Sequence, residues 1–151
     1  MLKILKASAG SGKTFTLAGE YIRLLFAGEP DCDPHAYRHI LAVTFTNKAT
    51  DEMKSRILKE LHIMATSPEK SSYIAEILEM RKDLSPADVA KMARRVLCNI
   101  LNDYGAFSVS TIDSFFQRAL KAFSREIGQF SSYQVELDKA SLVKESVDRV
   151  L

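Results

Sequence analysis

The segment Ala7-Ser8-Ala9-Gly10-Ser11-Gly12-Lys13-Thr14 has the residue types and the spacing to hold a polyphosphate. Several backbone N–H groups must converge on such a ligand, so the loop needs residues that accept unusual dihedrals and put no side chain in the way. Gly10 and Gly12 supply that freedom, and the amides of Ala9 and Ser11 complete the cradle. Lys13 would set its ammonium against the β- and γ-phosphates, while the Thr14 hydroxyl takes one place in a Mg²⁺ shell. ATP with Mg²⁺ is the ligand these residues imply. The consensus for such a loop opens with glycine where this chain has Ala7, and its Gly12-Lys13-Thr14 end is intact. A plain strand-to-helix turn is the competing reading, disfavoured by the strand and helix patterns on either side.

Those patterns define the elements that must position the loop. Residues 2–5 form a short strand ahead of it. Behind it Phe15, Leu17, Ala18, Tyr21, Ile22, Leu24 and Leu25 recur at helical spacing, giving a helix that ends at Gly28 and Pro30 and is expected to pack on a sheet. After a polar loop, residues 40–45 are an apolar run too short for a helix and predict a buried parallel strand. Thr46 or Asn47 caps a helix running to about Thr66, on which Glu52 and Arg56 are spaced for an exposed ion pair. Residues 67–104 break the strand–helix alternation. Ser67-Pro68 starts one helical segment, and Ser85-Pro86-Ala87-Asp88 supplies the N-cap, N1 proline and acidic N3 of another.

Gly105 ends this helical insertion, and residues 106–110 alternate as a third strand before a helix from Asp113 that carries Phe116, Leu120 and Phe123. Residues 133–137 read as extended, and Asp138 caps a last amphipathic helix with Leu142, Val143, Val147 and Val150 near one face. That helix reaches Leu151 without a stop signal, so the C-terminus reads as cut. The expected fold class is α/β: a P-loop NTPase (RecA-like) parallel sheet flanked by helices, with a helical insertion. The expected divisions are the first part of the core over 1–66, the insertion over 67–104, and a truncated return to the core over 105–151.

Composition sets bounds without choosing a reaction. The 151 residues are 46% hydrophobic and 26% charged, enough for one core. A net charge of +2 neither favours nor opposes a nucleic-acid surface, since a local basic groove can sit inside a near-neutral total. Cys32 and Cys98 stand far apart and imply reduced, buried thiols, with no disulfide framework and no zinc site. No apolar run is long enough to span a bilayer, and the phosphate loop begins too early for a signal peptide. The expected compartment is the cytoplasm, with no membrane partner.

Three segments in order carry a more specific signal: residues 7–14, Val43-Thr44-Phe45-Thr46-Asn47-Lys48-Ala49, and Ser110-Thr111-Ile112-Asp113-Ser114-Phe115. Together they resemble the UvrD/Rep type of superfamily 1 DNA helicases, over the start of that family's first motor domain. The Ala7 opening and the Thr111-Ile112-Asp113-Ser114-Phe115 form look most like the RecB/AddA helicase–exonuclease branch. The resemblance implies ATP-driven translocation on single-stranded DNA in repair and recombination, with single-stranded and duplex DNA as partners and a second helicase–nuclease subunit beside it. It implies that Phe45 stacks on a base and that Thr44, Thr46 and Asn47 contact backbone phosphate or sugar. Thr111, Asp113 and Ser114 would form the second strand contact. Asp113 stands where many relatives carry His.

Each of these residues also has a bland role open to it. Phe45 at a strand end can be core, and Thr111, Asp113 and Ser114 are favoured helix starters for backbone reasons alone. Lys48 can be a solvated helix-start residue, although a cation there opposes the dipole and hints at an anionic partner, whereas Arg118, Lys121 and Arg125 read as a solvated face. Such a motor also needs an apolar strand ending in Asp-Glu to hold Mg²⁺ and orient water, and this sequence has none. The chain by itself is therefore expected to bind nucleotide weakly and hydrolyse it negligibly. A small-molecule or nucleotide kinase with 67–104 as a lid leaves residues 44–49 unexplained. A non-catalytic nucleotide- or DNA-binding module is the other alternative.

Overall fold

The computed structural model describes residues 12–28 and 32–126 of the chain. The expected strand at 2–5, the loop residues Ala9, Gly10 and Ser11, and everything expected beyond 126 lie outside the described residues. Contacts divide the chain into two units, Met1–Phe115 and Phe116–Leu151.

In the first unit, α1 (Lys13–Leu25) is followed by a 3-10 turn at Ala36–His39, strand β1 (Ala42–Thr44), and the long helix α2 (Asn47–Thr66). A second 3-10 turn at Pro68–Lys70, α3 (Ile74–Met80), α4 (Pro86–Asn102), a third 3-10 turn at Tyr104–Ala106 and strand β2 (Val109–Thr111) complete the order. Helix α5 (Ile112–Glu126) starts at the end of this unit and supplies the described part of the second. The result is a helix-rich α/β fold whose described sheet has two parallel strands, with Ala42 opposite Val109, Val43 opposite Ser110 and Thr44 opposite Thr111.

The helices form where the apolar period requires. Helix α2 buries Met53, Ile57, Leu61 and Met64, a stripe at three- and four-residue spacing, and α4 answers with Val89, Ala93, Val96 and Ile100. Full burial of a branched aliphatic of this kind contributes about 1.5–3 kcal/mol over exposure, so this seam is a main source of stability. Helix α2 is the hub, packing on α4, on α1 and on both strands. Ser85 caps α4 through a reciprocal capping box with Asp88 and proline at the first position, as the sequence predicts. The Ser85 hydrogen bond holds the Asp88 carboxyl below its ordinary range.

Several details differ from the sequence expectation. Helix α1 stops at Leu25, short of Gly28, and packs against α2. Gly19 lets α1 lie close to Tyr73, the residue just before α3: a Cβ there would stand 2.8 Å from the Tyr73 ring, which occupies the space. The strand expected over 40–45 is three residues long and is not buried on both faces, since Leu41 and Val43 are exposed. The third strand starts later than its alternation suggests because Tyr104–Ala106 is wound into the 3-10 turn. Of the two thiols only Cys32 is buried; Cys98 is on the solvent side of α4.

Cys32 belongs to a buried polar knot. The Arg81 guanidinium, 1% exposed, donates to the carbonyls of Phe26 and Gly28, to Cys32 Sγ at 3.2 Å, and to both oxygens of Asp83 at 2.8 and 2.6 Å. A second tie runs from the 3-10 turn to α4. Tyr37 Oη donates to the Asn99 carbonyl, Asn99 Nδ2 to the Pro34 carbonyl, and Arg38 pairs with Asp103 at 2.7 Å. The segment leading into β1 is thereby held by the helix that leads into β2. No helix among the described residues is long and apolar enough to cross a membrane.

Candidate functional site

At the carboxyl ends of β1 and β2 the chain makes two tight strand-to-helix turns side by side. In parallel sheets this is where ligands bind, because successive connections open there and helix N-termini point into the gap. Thr44 and Thr111, the last residues of their strands, are register partners. The parallel pairing therefore brings 44–47 and 111–114 together, although the whole helical segment separates them in sequence.

The first turn is built from hydroxyls. Thr46, extended at φ −131°, caps α2 by accepting from the Ala49 N–H at 3.2 Å. Thr44 Oγ1 lies 2.6 Å from Thr50 Oγ1 and 3.1 Å from the Thr46 carbonyl, which also receives the Thr50 N–H at 3.0 Å. With its flanks pinned, Phe45 projects outward and is 89% exposed, more than any other large apolar side chain among the described residues. Among the described residues Phe45 does not pack into the core. Asn47 and Lys48 occupy the first turn of α2 and are exposed.

The second turn is a smaller version of the first. Thr111, 8% exposed, accepts the Ser114 N–H at 3.2 Å and donates its hydroxyl to Ser114 Oγ at 2.9 Å. Thr111 thus caps the start of α5. Asp113 and Ser114 are exposed on its first turn, where a carboxylate suits the helix dipole. The cap and the surface are both present: Thr111 serves the backbone, and the two residues after Ile112 face outward.

Of the segment expected to form a phosphate loop, Gly12, Lys13 and Thr14 are described. Gly12 has φ 78°, the left-handed region that favours glycine, and it opens α1 without any side-chain cap over the first-turn N–H groups. Lys13 is exposed and Thr14 half-buried on that first turn. Among the described residues no cluster of His, Cys, Asp and Glu could hold a metal by itself.

Sequence inspection passed over two groups at this site. Thr50 carries a legible signal, a threonine four residues after the N-cap threonine, which is the spacing for back-bonding to the cap carbonyl. The other joins α1 to α2: the Arg56 guanidinium lies 5.7 Å from the Phe15 ring centroid, and Phe15 stacks at 4.8 Å on Tyr73. Tyr73 Oη in turn donates to the Phe15 carbonyl at 2.8 Å. The helix that begins with Lys13 and the helix that begins after Phe45 are therefore packed through an aromatic and a cation. Arg56 reaches Glu52 at 3.5 Å, the expected ion pair, and its buried Nε has no hydrogen-bond partner.

Comparison with known proteins gives concordant matches. The family model of the UvrD/REP helicase N-terminal domain matches residues 3–150. The RecBCD enzyme subunit RecB of Escherichia coli (strain K12) is 31% identical over 145 residues, covering 93% of this chain and 12% of that protein. RecB of Buchnera aphidicola subsp. Acyrthosiphon pisum is 37% identical over 124 residues, covering 80% of this chain and 10% of its own length. An ATP-dependent helicase/nuclease of Streptococcus suis is 32% identical in one of its subunits over 150 residues, 97% of this chain and 10% of that protein. The chain thus spans about a tenth of the length of these curated relatives. No solved structure matches it.

Proposed function

Because the chain belongs to the UvrD/REP helicase family, we propose that it is the N-terminal part of the first motor domain of an ATP-dependent DNA helicase of the helicase–nuclease kind. In this reading the two described strands belong to a larger RecA-like sheet, and the protein moves along single-stranded DNA during break repair and recombination in the cytoplasm. A second helicase–nuclease subunit is its partner, by analogy with a relative named as part of the RecBCD enzyme. Gly12, Lys13 and Thr14, continuing the loop from Ala9, Gly10 and Ser11, hold ATP and Mg²⁺. Hydrolysis of the bound nucleotide supplies the free energy for stepping.

The observation that carries the reading is Phe45, an aromatic ring left 89% exposed at the carboxyl end of a strand. A ring held out in this way is a stacking platform, and base stacking is sequence-tolerant, as a translocating protein requires. Thr44, Thr46, Asn47, Thr111, Asp113 and Ser114 surround the end of the same two strands, where Asn47 and Ser114 present side chains to a sugar–phosphate backbone and the Asp113 carboxylate, which phosphate would repel, is suited to a base edge.

The test is ATP hydrolysis by the protein that contains this chain, with and without single-stranded DNA, using Lys13→Ala as the blank. Hydrolysis stimulated by DNA and abolished by the substitution is expected. Hydrolysis indifferent to DNA would favour the kinase alternative, and nucleotide or DNA binding without turnover would favour the non-catalytic module. The 151 residues alone are expected to turn over ATP negligibly, since they contain no acidic strand end to orient water.

A further inference from the structure

The Thr44–Thr50 contact poses a problem of proton supply. Two hydroxyls carry one proton each, yet three contacts are within reach: Thr44 Oγ1 to Thr50 Oγ1 at 2.6 Å, Thr44 Oγ1 to the Thr46 carbonyl at 3.1 Å, and Thr50 Oγ1 to the same carbonyl at 3.2 Å. Two oxygens at 2.6 Å require a proton between them, so one proton is committed there and the other goes to the carbonyl. The Thr46 carbonyl does not depend on it, because it already accepts the Thr50 backbone N–H at 3.0 Å. One hydroxyl proton at this turn is therefore disposable without leaving a buried group unsatisfied.

Thr50 is 7% exposed, whereas Thr44 is half-buried at the strand end beside Phe45. Only Thr44 is placed to direct that proton to something outside. We propose that Thr50 is a positioning residue for DNA: its hydroxyl donates to Thr44 Oγ1, so that the Thr44 hydroxyl turns its proton outward to a phosphate oxygen of single-stranded DNA. The inference rests on the DNA-binding reading above. Donation from Thr50 polarises the Thr44 hydroxyl and makes it a stronger donor, as in any hydrogen-bonded chain. The same contact fixes the Thr44 rotamer, so that the hydroxyl does not swing when the strand is released.

The test is the affinity of the protein that contains this chain for a fluorescent oligothymidylate, compared among wild type, Thr50→Val, Thr50→Ser, Thr44→Val and the Thr44→Val/Thr50→Val pair. Valine keeps the branched shape and removes the hydroxyl, and a far-ultraviolet spectrum and melting curve check the fold. Thr50→Val is expected to raise the dissociation constant about fivefold, the usual worth of one hydrogen bond. Thr50→Ser is expected to bind like wild type, and the double variant no worse than Thr44→Val, because Thr50 acts through Thr44. The slope of affinity against salt is expected to stay constant, since a hydroxyl displaces no counterion. Wild-type affinity in Thr50→Val, failure of serine to rescue, or additive losses would each overturn the inference and leave the function standing. No binding by the wild type would overturn the DNA-binding function and the inference with it.

Discussion

Phe45 and Thr50 divide the work of one turn between surface and interior, 89% and 7% exposed. Since Phe45 touches no core, Phe45→Ala is expected to leave the melting temperature unchanged within error. It should cost roughly 1–3 kcal/mol of single-stranded DNA affinity, the range for loss of one base–aromatic stack. An anisotropy titration beside a thermal melt reads both, and equal DNA affinity in the two proteins would remove Phe45 from the interface. Phe45→Trp is expected to retain binding, because the platform matters and the ring identity does not. The exposed position of Phe45 was legible in its Thr-Phe-Thr-Asn context and illegible in its hydrophobicity, which alone would have placed it in the core. Thr50 is legible only as a back-bonding threonine four residues after the cap; that its hydroxyl also meets Thr44 across the turn is a tertiary fact no local pattern announces.

Helix ends were the most legible elements, because caps are local: Ser85, Pro86 and Asp88 specify the start of α4 without any tertiary information. Ser85→Ala is expected to destabilise the fold by about 1 kcal/mol. The same box makes a pH prediction. A carboxyl held below its ordinary value in the folded state adds stability above the unfolded value, and that stability is lost as pH falls through the unfolded and then the folded value. Melting temperatures of wild type and Asp88→Asn should therefore differ near neutrality and converge in acid. What was not legible is what crosses between elements. Nothing local to Gly19 says that the Tyr73 ring fills the space its Cβ would take, so Gly19→Ala, favourable to an isolated helix, is expected to lower the melting temperature by forcing α1 from the ring. Nor does anything near Arg81 announce that it binds the backbone at Phe26 and Gly28. Arg81→Leu, which leaves those carbonyls without their donor, should lower the melting temperature more than Ser85→Ala does.

Across the molecule, apolar surface remains uncovered on several elements: Leu17 and Leu24 on α1, Leu41 and Val43 around β1, and Phe116, Leu120 and Phe123 along α5. Surfaces of this kind meet other chain in a folded assembly or associate in its absence. The 151 residues by themselves are expected to bind a hydrophobic dye and to self-associate in sedimentation; a dye-silent monomer at high concentration would contradict this. The parallel pairing of β1 with β2 has a further consequence, for time rather than for structure. Its two strands are joined by the whole of α2, α3 and α4, so their meeting closes a long loop, and the entropy of that closure is offset only after α2 and α4 have packed. The turns bearing Phe45 and Asp113 should then become neighbours late in refolding. A substitution such as Val96→Ala, buried in α4, would delay the recovery of DNA binding in a stopped-flow experiment even where the final affinity is unchanged.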